Sequence, residues 1–358
     1  MTEATLRQVA RALYYGSIPA LSIDASGRVA DYNVAMETVF GEELNGRRYS
    51  PFGELLQSLN SRVLEGILVP RNGDDYAKAE CSFDSPNLGQ VRLAASTLPW
   101  HHPSTEQKHG DIIFWDIVAG NDAFHEQYRR KLDRQLIWDT YAWSYDRVLP
   151  LMPYYQEVLA RHVAALTEPG PVIDLGAGTG NLAERLVAAG HPVTAVEPSR
   201  AMLERLLSKE VLASALGTQL TVLEASAEFL PMIEDQSFTG VSLQLSLFDM
   251  RRPELGLSNA ARVLRSGGHI VVTDIKRGFQ LEPILQECER RLHFLGRYDE
   301  LAADLKRVIR SNRDLAPGSR SKFRIEDVFD SLAGRGFENL SMQDSHFGQC
   351  ATICARKP

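Results

Sequence analysis

The stretch PVIDLGAGTGNLAERLVAAGHPVTAVE, Pro171 to Glu197, reads as strand, glycine turn, helix, strand and acidic stop. Val172 and Ile173 make a short apolar strand, and Asp174 stands where it ends. Gly176, Gly178 and Gly180 form a turn nearly bare of side chains, which lets a ligand approach the backbone closely. Leu182, Leu186 and Val187 give the next helix one apolar face, and Gly190 stops it. Val193 to Val196 is a second strand. It ends in Glu197, about twenty residues after the turn, where a carboxylate can bond both hydroxyls of a ribose. The ligand implied is a nucleoside.

A dinucleotide fingerprint is Gly-x-Gly-x-x-Gly, its helix N-terminus facing a pyrophosphate. Here the spacing is Gly-x-Gly-x-Gly behind Asp174, and this resembles motif I of the class I S-adenosylmethionine-dependent methyltransferases. Leu223 to Leu230, with Pro231 and an acidic loop to Phe238, looks like the family segment beside the adenine. Thr239 to Leu245 reads as the fourth strand. Asn259 to Ile275, NAARVLRSGGHIVVTDI, resembles the family's helix, Gly-Gly turn and fifth strand. Val328 to Gly336 reads as a helix, Glu338 to Met342 as a strand and Gln349 to Arg356 as the last strand. The resemblance covers Ile137 to Pro358. It implies an α/β fold: a Rossmann-like seven-stranded methyltransferase sheet with an antiparallel last strand. It also implies that S-adenosyl-L-methionine is the cofactor, with Asp174 and Gly176, Ala177 and Gly178 at its methionine part. Glu197 and Pro198 then hold the ribose, Ala227 and Glu228 border the adenine, and Ser226 stands where many members carry Asp.

Trp138 to Leu159, WDTYAWSYDRVLPLMPYYQEVL, resembles the opening helices of small-molecule methyltransferases, quinone-methylating ones included. Tyr141, Trp143 and Tyr145 can close over a sulfonium, since a ring face attracts a cation by roughly 0.5 to 2 kcal/mol. Tyr145, paired with Asp146, matches the family best. Ligands in such sheets lie beyond the carboxyl ends of the strands. Gln244 and Ser246, Asp274 and His346 are the polar residues expected at that rim. His346 is the candidate general base, because its ordinary pKa is near 6.5. The segment Gln244-Leu245-Ser246-Leu247 lacks the Asn-Pro-Pro-Tyr of nucleobase amino methylation, and the catechol-type magnesium set is missing too.

The first 118 residues form a separate unit. Leu6, Val9, Ala10 and Leu13 mark a helix, and Ala20 to Ile23 a strand. Asp24-Ala25-Ser26-Gly27 is a turn, followed by a strand from Arg28 to Tyr32, Asn33 as a helix cap and a helix to Phe40. Leu59 to Leu68 reads as another helix, before strands at Ala77 to Phe83, Gln90 to Leu98 and Asp111 to Val118. IPALSIDASGRVADYNVAMETVFG resembles the opening of a PAS domain, and FWDIV its last strand. An α+β PAS-like unit is therefore expected over 1–118. His101, His102 and His109 sit in a polar hairpin loop, and no tightly bound chromophore is expected.

Residues 119–137 link this unit to a methyltransferase domain over 138–358. Phe124, Tyr128, Leu132 and Leu136 recur every four residues, an apolar helical stripe that fits a homodimer through the N-terminal half. An insertion over 276–324 is expected to choose the acceptor. It reads as helix from Leu281 to Arg310, then a loop with Pro317 and Gly318. Lys306, Arg307, Arg310, Arg313, Arg320, Lys322 and Arg324 make it basic, which suits an anionic small molecule or a phospholipid head group.

The chain has 358 residues, 44% hydrophobic, enough for two cores. Its net charge of -7 argues against a general nucleic-acid binder. No apolar run reaches membrane-spanning length and the start does not read as a signal peptide, so a cytoplasmic protein without stable membrane insertion is expected. Cys81, Cys288, Cys350 and Cys354 are scattered, suggesting neither disulfides nor a metal site. Two functions fit: a small-molecule methyltransferase governed by the N-terminal unit, or a sensor that binds S-adenosylmethionine without turnover.

Overall fold

A computed structural model describes residues 18–69, 78–101, 108–119, 124, 128, 137–138, 141–230, 233–315 and 323–358. The chain divides into two compact units, Met1–Gln135 and Leu136–Pro358.

The N-terminal unit is an antiparallel sheet of β1 (Ala20–Asp24), β2 (Val29–Tyr32), β3 (Val63–Gly66), β4 (Lys78–Ser85), β5 (Gly89–His101) and β6 (Lys108–Ala119), in the order β2-β1-β6-β5-β4-β3. Asp24 folds the first hairpin by accepting the Ser26 and Arg28 N–H groups at 2.8 and 3.0 Å. Asn33 caps the helix Val34–Phe40 by accepting the Met36 N–H, the role its position suggests. Phe40 meets Phe83 and Trp115 edge to face, with ring centroids 5.0 and 5.3 Å apart, and these rings stand at the centre of the core.

The helix expected over Leu59 to Leu68 is corrected. It runs Phe52–Asn60, is closed by the Ser61 and Arg62 N–H groups turning back on Ser58 and Leu59, and gives way to edge strand β3. Gly66 explains the switch: at φ 88, a Cβ there would stand 2.2 Å from the Glu80 carbonyl oxygen across the strand pair. The interdomain stripe falls mostly outside the described residues, Leu132 and Leu136 included. Phe124 and Tyr128, which are described, are buried and stacked 5.5 Å apart.

In the second unit β7 (Val172–Leu175), β8 (Val193–Val196), β9 (Leu220–Leu223), β10 (Phe238–Gln244), β11 (Leu264–Ile275), β12 (Glu338–Ser345) and β13 (Cys350–Arg356) form one sheet. Its order is β12-β13-β11-β10-β7-β8-β9. Strands β7 to β11 are parallel wherever they pair, and β13 runs antiparallel to both neighbours. This is the Rossmann-like α/β arrangement the glycine turn predicts. Strand alternation makes two cores. Val172, Ala195 and Val271 face the helices Pro153–Ala165 and Asn181–Ala188, while Ile173, Val241 and Val272 face Pro253–Val263 and Ile325–Gly334.

The insertion also departs from expectation. The single helix from Leu281 to Arg310 is two, Glu282–Phe294 and Tyr298–Leu315, broken at Gly296 with φ 65. Pro317, Gly318, Arg320 and Lys322 lie outside the described residues. Its two ends are tied together, because the Arg277 N–H donates to Glu326 and the Arg277 guanidinium pairs with Asp327 at the start of the last helix. No described helix is long and apolar enough to cross a membrane.

Candidate functional site

The polar residues read as a site meet at one edge of the second sheet, where β7, β8, β10 and β11 end. Each glycine of the turn after β7 has a different reason to be glycine. Gly176, at φ 82, would put a Cβ 2.5 Å from the Ser246 Cβ, so the loop after β10 closes on it. Gly180, at φ 79, is crowded by Leu206 and Leu212. Gly178, at φ 55, faces open space, with nothing within 4 Å of a built Cβ. The turn is thus packed from both sides and left bare at its middle, where a ligand can lie against the backbone.

Two buried carboxylates flank that opening. Glu197 accepts the Gly178 N–H on Oε2 at 2.9 Å and the Ser199 N–H on Oε1 at 2.8 Å. Burial pushes its carboxyl up to about 7, against the pull of those two donors. Asp174 is 1% exposed. Burial raises it to about 7, with the Ser242 hydroxyl opposing the rise and Glu197 adding to it. A cation or a pair of hydroxyl donors between them would favour the ionised forms of both.

Helix 141–148 is fastened beside this turn. Asp146 Oδ1 accepts the Thr179 hydroxyl at 2.5 Å and the Asn181 amide at 3.2 Å, while Arg205 and Lys209 stand 3.5 and 3.6 Å from its carboxylate. Trp143, half exposed, carries the Arg205 guanidinium over its ring at 4.4 Å. The other side of the helix holds the insertion: Asp304, nearly buried, accepts the Ser144 hydroxyl at 2.8 Å and Arg147 at 2.6 Å. Tyr145 Oη donates to Tyr155 Oη at 3.1 Å, and Asn181 donates to the same Tyr155 oxygen at 3.0 Å. Burial holds the Tyr145 hydroxyl well above its ordinary range and pushes Tyr155 up to about 12, so both are neutral phenols.

Of the other predicted residues, Asp274 is at the end of β11 with its carboxylate occupied by backbone. It accepts the N–H groups of Leu247, Phe248 and Ile275 at 2.9, 3.3 and 2.8 Å, and burial raises it to about 6. His346 lies at the same edge, in the turn before β13. It is 4% exposed, its ring centroid 4.7 Å from that of Tyr154, and burial, aided by Arg161, lowers it to about 4. Gln244 ends β10 in register with Thr273. Ala227 is buried and its carbonyl accepts the Asn259 amide, while Glu228 turns to the Arg252 N–H at 2.6 Å. Pro198 follows Glu197 directly and has no N–H to donate. Arg307, Arg310 and Arg313 of the insertion stand 3.6, 3.8 and 3.5 Å from Asp304, Asp314 and Glu282, so part of its positive charge is matched locally.

Thr179, Asn181 and Tyr155 were not singled out in the sequence. Asn181 opens the helix after the glycine turn, and a polar residue at that position was the available signal. Among the described residues, no group of three or more His, Cys, Asp or Glu is placed to hold a metal ion.

Residues 173–272 match the family model of a methyltransferase domain. A demethylmenaquinone methyltransferase of Clavibacter sepedonicus is 32% identical over 158 residues, 40% of this chain and 62% of that protein. A ubiquinone/menaquinone biosynthesis C-methyltransferase, UbiE, of Yersinia pestis is 29% identical over 174 residues, 48% of this chain and 67% of that protein. The chain therefore spans less than two thirds of the first relative's length. A solved SAM-dependent methyltransferase from Aquifex aeolicus aligns over 58% of this chain and 90% of its own, at 16% identity and a TM-score of 0.39. The segment that carries the glycine turn, Glu197 and most of strands β7 to β11 is thus similar to methyltransferase domains, those of menaquinone and ubiquinone biosynthesis among them.

Proposed function

We propose that the protein transfers a methyl group from S-adenosylmethionine to a small aromatic acceptor of the quinone class. The observation that carries this reading is the opening at Gly178 between two buried carboxylates, Asp174 and Glu197, at the ends of adjacent strands. Asp174 answers the ammonium of the methionine part, Glu197 the ribose hydroxyls, and the bare backbone at Gly178 leaves room for the chain between them. The sulfonium supplies an already activated methyl group, so the protein's work is alignment and exclusion of water. Tyr145 and Tyr155 form a neutral phenol wall suited to that work. Tyr154 meets the His346 and Phe347 rings with centroids 4.7 and 5.5 Å apart, an aromatic cluster suited to a planar acceptor. The acceptor class rests on the two quinone-pathway relatives.

The decisive experiment incubates the full chain with methyl-labelled S-adenosylmethionine and a reduced demethylnaphthoquinone. Labelled quinol with stoichiometric S-adenosylhomocysteine is expected. Donor binding without S-adenosylhomocysteine release, with this acceptor and with fractionated cell extract alike, would favour a sensor that does not turn over.

The N-terminal unit is read as PAS-like and dimer-forming, and its activity as a modulator of the catalytic unit. Its support is the sheet order, in which the first strand pairs with the last inside the sheet, the Asn33-capped helix and the aromatic core. Light scattering of the full chain at micromolar concentration is expected to give a dimer mass. A monomer mass would remove the assembly role.

A further inference from the structure

Strand alternation should make the face of β7, β10, β11 and β13 under the helix Pro153–Ala165 uniformly apolar, and Val172 and Val271 follow that rule. Four polar residues break it. Asp174 and Ser242 are register partners on β7 and β10, Thr273 lies two residues beyond the Val271 that pairs with Ser242, and Thr273 is in register with Thr352 on β13. His162, on the helix above and 0% exposed, joins them. Its Nδ1 is 3.0 Å from Ser242 Oγ and its Nε2 is 2.8 Å from Thr273 Oγ1, which is 2.8 Å from Thr352 Oγ1. Ser242 stands beside Asp174 as its register partner on the adjacent strand, and its hydroxyl pulls the Asp174 carboxyl down against burial.

We infer that His162 is a positioning residue that acts through Ser242 to hold the Asp174 carboxylate oriented and ionised for the methyl donor. The proton count fixes the direction. An ionised Asp174 can only accept, so Ser242 gives it the single hydroxyl proton. Ser242 oxygen must then accept from His162 Nδ1–H, which leaves Nε2 to accept from Thr273, and Thr273 to accept from Thr352. Every donor in the seam points toward the carboxylate, an arrangement in which each bond polarises the next. Burial holds His162 down to about 3, so it stays neutral and works as a relay of dipoles rather than as a base. The groups facing Asp174 are Glu197 at the end of β8 and the Tyr155 phenol on the helix above, and neither supplies a positive charge. The seam is thus the polar support that the carboxylate has below the sheet edge.

This inference rests on Asp174 as a donor-binding residue. The test is calorimetric binding of S-adenosylhomocysteine to the full chain between pH 6 and 8, for the native protein, His162→Phe, Ser242→Ala and the double variant. Removing either link is expected to weaken binding about tenfold at pH 7 and to move the pH midpoint of binding upward. The double variant should match Ser242→Ala alone, since His162 acts only through it. Additive losses, or variants that melt earlier yet bind with native affinity and midpoint, would overturn the relay and make the seam mere packing. Should His162→Phe not fold, Ser242→Ala with Thr273→Val carries the same comparison. Failure of the native protein itself to bind S-adenosylhomocysteine would instead overturn the donor site.

Discussion

At the scale of single residues the glycine turn separates folding from binding. Ala at 176 must displace the Ser246 side chain, so it is expected to lower the melting temperature of the second unit strongly. Ala at 178 meets no neighbour and bears only the left-handed backbone cost of roughly 1–2 kcal/mol, a shift of a few degrees at this size. Its Cβ nevertheless enters the opening proposed for the donor, and S-adenosylhomocysteine affinity should fall at least about tenfold. Thermal melts with and without ligand read both effects. Acidity gives a second prediction. Asp174 and Glu197, both raised to about 7 by burial, are partly protonated in the free protein at pH 6. A ligand that carries an ammonium and ribose hydroxyls must expel those protons. Affinity should therefore rise about a hundredfold from pH 6 to 8, about tenfold for each carboxyl, and then level, with proton release near pH 7. Calorimetry in two buffers of different ionisation enthalpy measures it, and a flat profile would count against the pair as donor ligands. Asp174, Glu197 and the glycines were legible because strand-end acids and turn glycines are local signals. His162 was not, although a histidine among Val158, Leu159, Val163 and Leu166 on an apolar helix face was a clue that its partners lay on distant strands.

Among elements, helix 141–148 is the one whose loss the site should feel most. Asp146 answers Thr179 on the turn, Asn181 at the start of the helix that follows it, Arg205 on the helix Arg200–Leu207 and Lys209 just beyond that helix. Asp146→Asn removes the charge from a nearly buried position and is expected to raise the donor KM about tenfold or more, with a smaller effect on the fold. Steady-state kinetics against donor concentration would show it, and an unchanged KM would make the helix a spectator. The strands and helices of the second unit were readable because hydrophobic period and glycine punctuation agree there. Two elements misled for one reason. The stretch Leu59 to Leu68 has helix-forming leucines, but across-strand contact at Gly66 decides for β3. Leu281 to Arg310 keeps a helical period through Gly296, and only its left-handed backbone shows the break.

For the whole molecule, each unit has its own core, one around Phe40, Phe83 and Trp115 and the others on the two faces of the seven-stranded sheet. Differential scanning calorimetry is expected to resolve two transitions, with S-adenosylhomocysteine raising only one. A single transition that moves as a whole would show that the units unfold together. The sequence pattern changes near residue 119, whereas the compact units divide between Gln135 and Leu136, and Phe124 and Tyr128 of the helical stripe pack into the first unit's core. The tie between Arg277 and the acids Glu326 and Asp327 has a consequence for change over time. It makes the excursion between β11 and the last helix a closed detour, leaving and rejoining the sheet at nearly one point. Loops closed in this way tolerate lengthening at small entropic cost. The detour can therefore be lengthened, shortened or exchanged between related proteins as a cassette, with the sheet that carries the glycine turn kept intact.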